Sequence, residues 1–304
     1  MAQALERRIL VTGASGFVGA PLVAALAAAG WTVVGASRNG PSTDSAAADW
    51  IKTDLLRDGP EKMVEAARAE TLAHVAWIAT PGVYADTVDN LEWARTSELL
   101  ARSFLSAGGR RIVATGTCLE YDLAVEGGRA AGPRSLYAAA KHACRLVLAR
   151  EARAAGASFA WARLFYLLGA HDHPDRLATG LARRLTAGEP ARVSRGLAVR
   201  DFIDVRDCAA ALAALAGAEA GGDFDIASGH GIRIRDLVET IALAAGRPDL
   251  VAVDPALDRA DELPVLVGDP AELARASGFR PRYSLEASIA DIVEHFRARR
   301  DACA

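Results

Sequence analysis

The amino-acid sequence predicts an α/β protein in which a doubly wound parallel sheet is followed by a smaller, less regular α/β lobe. Two observations favour this fold class. As far as about residue 168, continuous apolar runs typical of strands buried on both faces alternate with helical stretches of about ten or more residues. Such alternation is typical of right-handed crossovers between parallel strands. After residue 168 the alternation stops, and short strands are mixed with helices.

The elements of the first part follow from these patterns. The strand at 8–12 leads directly into glycines, and the helix after it ends at Gly30, because glycine commonly stops a helix. The predicted strands are 8–12, 31–37, 71–79, 110–117 and 158–169. The predicted helices are 16–29, 59–70 and about 86–107, with one more that carries Tyr137 and Lys141.

The second part is predicted to be less regular. Its expected elements are a helix at 177–187, short strands around 192–199, a strand at 224–229 followed by a helix, and two helices in the tail. We therefore predict two domains, 1–168 and 169–304, with the segment 200–217 returning to the first.

Hydrophobic residues make up 51% of the chain and charged residues 24%, as in ordinary globular proteins. The formal net charge of -3 does not attract nucleic acid or an anionic membrane, and neither is expected as a partner. The four cysteines are far apart and lack metal-ligand spacing, so we predict reduced thiols and no metal site. No apolar run is long enough to span a bilayer and no cleavable signal is recognisable, which favours a soluble, cytoplasmic protein.

The segment "TGASGFVG" joins the first strand to the first helix. Its three glycines would let a pyrophosphate approach bare backbone amides at the positive end of the helix. This context predicts a Rossmann-type dinucleotide site. The loop residues expected to contact the cofactor are Gly13, Ser15, Gly16, Phe17, Val18 and Gly19.

The choice between NAD and NADP depends on the end of the second strand, where an acidic residue would hold a ribose 2′-hydroxyl. Here Ser37 and Arg38 offer a hydroxyl and a guanidinium, which suit a 2′-phosphate. The sequence therefore favours NADP (NADPH), while a merely solvated arginine and NAD remain open. Asp54, followed by Leu55, could accept a hydrogen bond from the adenine amine or could cap a helix.

Tyr137 and Lys141 are four residues apart in a predicted helix, so their side chains share one face. A phenol with a pKa of about 10 is a poor acid or base at neutral pH, but a neighbouring ammonium stabilises the phenolate and lowers that pKa. The tyrosine oxygen can then exchange a proton with a carbonyl group. The chain has only three lysines, and a compact ammonium suits this role better than the larger planar head of an arginine.

Together these motifs resemble the extended short-chain dehydrogenase/reductase family, in its NAD(P)-dependent epimerase/dehydratase branch that acts on nucleotide sugars. "TGASGFVG" is similar to the family's cofactor loop, and "HVAWIATPG" at 74–82 is similar to its H-x-A-A segment. "TGTCLEYD" at 115–122 resembles S-S-S-x-x-V-Y-G, which aligns Thr117 with the catalytic serine or threonine. "VRDFIDVRDCA" at 199–209 resembles R-D-F-I-x-V-x-D-x-A.

The resemblance implies roles for particular residues. The implied catalytic set is Thr117, Tyr137 and Lys141. The implied cofactor contacts outside the glycine loop are Ser37, Arg38, Asp54, Leu55, Ala76, Trp77, Tyr137 and Lys141. The implied substrate contacts are Thr80, Thr117, Cys118, Tyr166, Arg176, Arg200 and Arg259, with Arg200 and Arg259 on a diphosphate. The first domain would bind NADP and the smaller lobe a nucleoside-diphosphate sugar. Relatives often form homodimers through the tyrosine–lysine helix, and a homodimer is expected here.

Departures from the family pattern reduce the number of reactions that the resemblance implies. Family dehydratases carry Asp-Glu directly after the catalytic threonine, where this chain has Cys118 and Leu119. Epimerase-reductases of the GDP-fucose type need a cysteine where Leu119 stands, and a histidine for which His171 and His173 fall too early. The resemblance thus implies NADPH-dependent reduction of a nucleoside-diphosphate 4-keto-(di)deoxy sugar, with Tyr137 as proton donor. A nucleotide-sugar epimerase with tightly bound NAD and a non-catalytic NADP-binding sensor remain as alternatives.

Overall fold

A computed structural model of the chain describes residues 7–41, 45–126, 129–259 and 262–301. The chain divides into two units. The first takes the described residues of Met1–Leu164, Cys208–Ile226 and Ala271–Arg280, and the second takes those of Phe165–Asp207, Ala227–Pro270 and Pro281–Ala304. Compared with the predicted ranges, the first unit stops at Leu164 rather than at 168, takes back 208–226 rather than 200–217, and also includes 271–280.

The strands, in chain order, are β1 (Arg8–Thr12), β2 (Thr32–Ser37), β3 (Asp49–Lys52), β4 (Thr71–His74), β5 (Arg111–Thr117), β6 (Leu123–Glu126), β7 (Arg129–Pro133), β8 (Ser158–Leu164), β9 (Tyr166–Leu168), β10 (Ala191–Val193), β11 (Val199–Asp204), β12 (Gly222–Ile226), β13 (Gly231–Arg233), β14 (Val251–Val253) and β15 (Val265–Leu266). The α-helices are α1 (Gly19–Ala28), α2 (Leu55–Asp58), α3 (Glu61–Ala67), α4 (Asp89–Ser106), α5 (Leu136–Ala154), α6 (Leu177–Thr186), α7 (Val205–Gly217), α8 (Ile234–Ala245), α9 (Ala271–Ser277) and α10 (Leu285–Asp301). Short 3-10 turns cover Cys118–Tyr121, Pro248–Leu250 and Pro255–Leu257.

Among the described residues of the first unit, seven strands form one sheet in the order β12-β8-β5-β4-β1-β2-β3. Every neighbouring pair in it is parallel. The chain builds outward from β1 to β2 and β3 on one side, and from β4 to β5, β8 and β12 on the other. This is the predicted doubly wound, Rossmann-type fold, so the predicted fold class is confirmed. In such sheets ligands bind beyond the carboxyl ends of the strands where the order reverses, which here is next to β1.

Apolar strand residues fix the position of that sheet. Leu10, Leu72 and Ile112, from three adjacent strands, share a buried cluster with Leu100 and Phe104 of α4. Full burial of a side chain of this size stabilises the fold by about 1.5–3 kcal/mol relative to exposure. The carboxyl ends of β1, β4 and β5 are therefore held on a well-packed layer.

The second unit is built around β11, which pairs with β9 and β15 in parallel and with β13 antiparallel. Three helices supply its core. The apolar side chains buried there include Leu181 and Leu185 of α6, Leu237 and Ile241 of α8, and Ile292 of α10.

Two predicted strands need correction. The strand predicted at 71–79 ends at His74, because its partner Thr12 is the last residue of β1 and Gly13 then turns away with φ 71. The run predicted at 158–169 is two strands separated by Phe165, since β8 joins the large sheet and β9 pairs with β11. An apolar run does not reveal that its two halves pair with different neighbours. The antiparallel pair of β6 and β7 was not predicted.

Candidate active site

The glycine loop between β1 and α1 is wound closely against the segment after β4. A Cβ at Gly13 would lie 2.9 Å from the Cα of Ala76, and a Cβ at Gly19 would lie 2.0 Å from the carbonyl oxygen of Gly13. Neither position has room for a side chain, so the backbone stays bare where α1 begins. Because α1 starts without a side-chain cap or an acidic residue in its first turn, its first N–H groups suit a pyrophosphate. The loop therefore fits the dinucleotide predicted for it.

Ser15 links the glycine loop to the end of β2. Its hydroxyl donates to Oγ of Ser37 at 2.9 Å, and that hydroxyl donates to the carbonyl oxygen of Gly40 at 3.3 Å. Arg38 is exposed beside this pair, while Phe17 and Val18 are half-buried. The structure thus places a hydroxyl pair and an exposed guanidinium at the strand end predicted to select the cofactor.

Asp54 caps α2, since one carboxylate oxygen accepts from the N–H of Leu56 at 3.2 Å. Leu55, the first residue of the helix, is buried in the core cluster of the first unit. Of the two interpretations open for Asp54, helix capping is the contact that the structure shows.

Tyr137 and Lys141 lie near the start of α5, one turn apart. The hydroxyl of Ser135 caps this helix by accepting from the N–H of Ala138 at 3.2 Å. The N–H of Tyr137 donates to the carbonyl oxygen of Ala85 at 2.8 Å. The helix start is therefore tied to the chain that precedes α4.

Lys141 reaches from α5 to the carboxyl end of β5. Its Nζ donates to the carbonyl oxygen of Thr115 at 2.7 Å and lies 3.9 Å from the centroid of the Trp77 ring. Only 3% of the residue is exposed. Burial lowers the pKa of Lys141 to about 8, an effect that the neighbouring Cys144 and Glu120 partly oppose.

Thr117 is buried at the end of β5 and begins the 3-10 turn. Its Oγ1 accepts from the N–H of Leu119 at 3.3 Å, and its own N–H donates to Oε1 of Glu120 at 3.0 Å. This reciprocal arrangement is a capping box and fixes the backbone of Thr117. Since Oγ1 is the acceptor in its bond, its proton can be donated to another group.

Glu120 is a buried carboxylate that the sequence analysis did not single out. It accepts from Nε1 of Trp161 at 3.0 Å and forms an ion pair with Arg163 at 3.3 Å. The spacing T-x-x-E from Thr117 to Glu120 is the sequence signal of a capping box and could have identified it.

His74, the last residue of β4, was part of a recognised motif but was given no role. Its Nδ1 lies 2.7 Å from Oγ1 of Thr12, and its Nε2 lies 2.8 Å from Oγ of Ser97. Because Ser97 donates its own proton to the carbonyl oxygen of Trp93, Nε2 carries the ring proton and Nδ1 accepts from Thr12. Burial, together with the charge of Lys141, lowers the pKa of His74 to about 3, so the ring is neutral near pH 7.

Residues 9–227 match the NAD dependent epimerase/dehydratase family. The chain belongs to this family. The resemblance to extended short-chain dehydrogenases/reductases is confirmed, and with it the prediction of an NAD(P)-dependent enzyme.

The chain is similar to several named proteins over nearly its whole length. dTDP-6-deoxy-L-talose 4-dehydrogenase (NAD(P)(+)) of Kitasatospora kifunensis is 27% identical, with 94% of each chain covered. GDP-6-deoxy-D-mannose reductase of Pseudomonas aeruginosa is 27% identical over 97% of this chain and 99% of the relative. The crystal structure of the UDP-glucose 4-epimerase of Thermus thermophilus with NAD is 26% identical, with a TM-score of 0.82 over 95% of this chain and 99% of that one.

In the second unit of the chain, Arg200 lies close to Tyr166. The guanidinium of Arg200 lies 5.9 Å from the centroid of the Tyr166 ring. It donates to the carbonyl oxygens of Val199 and Leu263, each at 2.8 Å, and forms an ion pair with Glu262 at 3.0 Å. Arg200 is therefore a buried and already hydrogen-bonded cation.

Arg176 lines a different part of the second unit. It immediately precedes α6 and borders a pocket of about 530 Å³ that also contains Arg184 and Arg192. Arg192 forms an ion pair with Asp254, and Arg184 donates to the carbonyl oxygen of Pro190. Sequence reasoning did not connect these three arginines, because they meet only when α6 and β10 fold together.

The remaining predicted substrate contacts differ in their exposure. Arg259 and Thr80 are exposed, whereas Cys118 is buried at the start of the 3-10 turn. Asp201 and Asp207 hold backbone N–H groups within the second unit.

In the described parts of the chain, no three histidine, cysteine or acidic side chains meet in a way that could hold a metal ion. No helix among the described residues combines the length and apolar character needed to cross a membrane.

Proposed function

We propose that this enzyme reduces the 4-keto group of a nucleoside-diphosphate 4-keto-(di)deoxy sugar with NADPH, and that Tyr137 donates the proton. The observation that carries this proposal is the turn after Thr117. Its one acidic residue, Glu120, points into the interior and is held by Trp161 and Arg163. Carbonyl reduction needs one hydride and one proton, whereas dehydration needs a further acid and base at the sugar.

The residues of the site then have distinct tasks. A bound reduced nicotinamide supplies the hydride to the C4 carbon. Tyr137 gives its phenolic proton to the carbonyl oxygen, so that C=O becomes CH–OH. Lys141 lowers the phenolic pKa through its charge, and the hydroxyl of Thr117 donates a hydrogen bond to the same carbonyl oxygen.

For the cofactor, we propose NADP(H), with NAD as the alternative. The exposed guanidinium of Arg38 beside the hydroxyls of Ser15 and Ser37 supports a 2′-phosphate. The Kitasatospora relative is named for use of either cofactor, and the Thermus epimerase structure contains NAD.

For the substrate, we propose a nucleoside-diphosphate sugar bound by the second unit. The three relatives act on dTDP-, GDP- and UDP-linked sugars, as their names state. Within the second unit, the pocket beside Arg176 has a volume of about 530 Å³ and is lined by Asp175, by apolar Leu177 and Leu181, and by three arginines, of which Arg184 and Arg192 also have protein partners. A charged and partly apolar pocket of this size suits a nucleoside diphosphate.

We also propose a homodimer through α4 and α5, with the first unit as the cofactor domain and the second as the substrate domain. The two helices carry exposed apolar side chains, namely Leu91, Leu99, Leu146 and Val147. Light scattering of the purified chain would show a mass of two copies, and Leu146→Glu would shift it toward one copy.

The decisive experiment supplies dTDP-, CDP-, GDP- and UDP-4-ketosugars with NADPH or NADH and follows cofactor oxidation. Tyr137→Phe should reduce kcat by roughly 10²–10⁴-fold, because the proton donor is lost, while NADPH binding stays unchanged. Tyr283→Phe, at an exposed tyrosine of the second unit, is the matched control and should retain activity. Near-normal turnover by Tyr137→Phe would contradict the scheme.

The similarity to the Thermus UDP-glucose 4-epimerase supports a second candidate, an epimerase with tightly held NAD. Such an enzyme would copurify with oxidised cofactor and interconvert two nucleotide sugars without net NADPH consumption. That pair of results would replace the reductase proposal.

A further inference from the structure

Trp77 provides the aromatic face against which the lysine of the site rests. Nζ of Lys141 lies 3.9 Å from the centroid of the Trp77 ring, and the same ring meets Tyr137 edge-on at a centroid distance of 6.4 Å. We propose that Trp77 is a positioning residue, which keeps the Lys141 ammonium charged and in place beside Tyr137 through a cation–π contact. The expected effect of Trp77 on turnover rests on the proposed function, whereas the contact between the Trp77 ring and the Lys141 ammonium does not.

The indole is fixed before it meets the ammonium. Its Nε1 donates to Oδ1 of Asn90 at 2.9 Å, and Trp93 stacks on it with centroids 6.0 Å apart. Asn90 is fully buried and donates in turn to the carbonyl oxygens of Tyr84 at 2.7 Å and Thr87 at 3.0 Å. The orientation of the ring is therefore set by α4 and by the chain that leads into it.

Lys141 needs such a partner because water does not reach it. The titratable groups that act on it are Glu120 from the 3-10 turn, neutral His74 from β4, and Cys144 from its own helix. Burial lowers the pKa of Lys141 to about 8, which is only slightly above neutral pH. A further fall in this pKa would therefore leave part of the lysine uncharged near pH 7. The electron-rich face of an indole favours the charged form of a nearby ammonium.

The contact is a property of this chain rather than of the motif. The family's H-x-A-A segment has alanine where Trp77 stands, and alanine offers no ring face. The resemblance alone implies that Trp77 contacts the cofactor. The structure shows that its ring contacts the lysine.

The composition of the chain allows a direct test. Lys141 has only two lysine companions, Lys52 and Lys62, and both are exposed. Labelling lysine with ¹³C at Cε therefore yields three signals, of which Lys141→Met identifies one and the other two serve as internal references. The variants are Trp77→Leu, which removes the ring face, Trp77→Phe, which retains one, and the control Trp31→Leu, which removes an indole whose ring faces Arg7 instead.

In the wild type, the Lys141 signal should show a ring-current shift that Trp77→Phe and Trp31→Leu retain. Trp77→Leu should lose most of it, and the Trp161 ring, whose centroid lies 6.0 Å from Nζ, would supply the smaller remainder. In Trp77→Leu the titration midpoint of Lys141 should fall by roughly 0.5–1 pH unit, because the burial remains and the stabilising face is gone. The alkaline limb of the kcat profile should move in the same direction. Circular dichroism confirms that each variant is folded.

An unchanged chemical shift and titration midpoint in folded Trp77→Leu would overturn the inference, even if Tyr137→Phe is inactive as proposed. If the magnetic resonance results are as expected but no ketosugar is reduced by the wild type, the proposed function fails and the lysine–indole contact stands. The two failures are therefore distinguishable.

Discussion

At the residue scale, the site contains two buried bases, Lys141 and His74, of which the first is charged and the second is neutral. Burial disfavours the charged form of each, but Lys141 has an indole face, a carbonyl oxygen and a nearby carboxylate to support its charge. His74 has a hydroxyl on each side and the Lys141 ammonium nearby, so its neutral form is favoured. Of these two bases, only Lys141 is therefore a cation near pH 7.

The lowered pKa of His74 predicts that the free energy of unfolding decreases as the pH falls below 6.5. Its pKa falls from 6.5 in the unfolded chain to about 3 in the folded one, so the unfolded chain binds the extra proton as pH drops below 6.5. This contribution to stability is present above pH 6.5 and is lost as pH falls toward 3. Between pH 7.5 and 5.5 the wild type should lose about 1.4 kcal/mol more than His74→Gln in urea unfolding. Equal losses in both proteins would show that His74 is protonated in the folded state.

At the element scale, the 3-10 turn after β5 shows how a short segment fixes the side chain proposed to bind the carbonyl oxygen. The carboxylate of Glu120 joins the N–H of Thr117, the indole of Trp161 and the guanidinium of Arg163. These contacts fix the backbone of Thr117, so its hydroxyl has a defined position at the carboxyl end of β5.

Removing that carboxylate should destabilise the fold more than neutralising it. Glu120→Ala leaves the N–H groups of Thr117 and Trp161 without this acceptor, while Arg163 keeps its ion pair with Asp223, and should lower the free energy of unfolding by about 2–4 kcal/mol. Glu120→Gln retains an acceptor oxygen and should cost about 1–2 kcal/mol. Glu65→Gln, at an exposed glutamate of α3, is the control for urea unfolding. A loss for Glu120→Ala no larger than that of the control would refute the assigned role.

The elements also show what the sequence can and cannot predict. The spacing of apolar residues and the glycines at the ends of elements predicted β1, α1, β5 and α5, because both signals depend only on residues close together in sequence. The split of the run at 158–169 could not be predicted, since it depends on β11 pairing with β9 from a distant part of the chain. The contact of Trp77 with Lys141 likewise joins two segments far apart in sequence.

At the scale of the whole molecule, the chain leaves the first unit after Leu164 and returns to it with 208–226. Arg111 of β5 is the buried link to this returning segment. Its guanidinium donates to the carbonyl oxygens of Leu215, at 2.6 Å and 3.1 Å, and of Ala220, at 3.0 Å. These carbonyl groups terminate α7 or follow it, where helix ends lack internal partners.

Arg111→Met should therefore loosen the returning segment. It removes the donor to the carbonyl oxygens of Leu215 and Ala220, and because Leu215 also accepts from the N–H of Ala218 at 3.2 Å, the free energy of unfolding should fall by roughly 1–3 kcal/mol. Arg111→Lys should lie between the wild type and Arg111→Met, because one ammonium cannot reproduce the planar fork. Arg110→Met, at the exposed neighbouring arginine, should unfold like the wild type in urea. Limited proteolysis of Arg111→Met should cut first within 208–226, and cleavage elsewhere with unchanged stability would contradict this account of how the return is held.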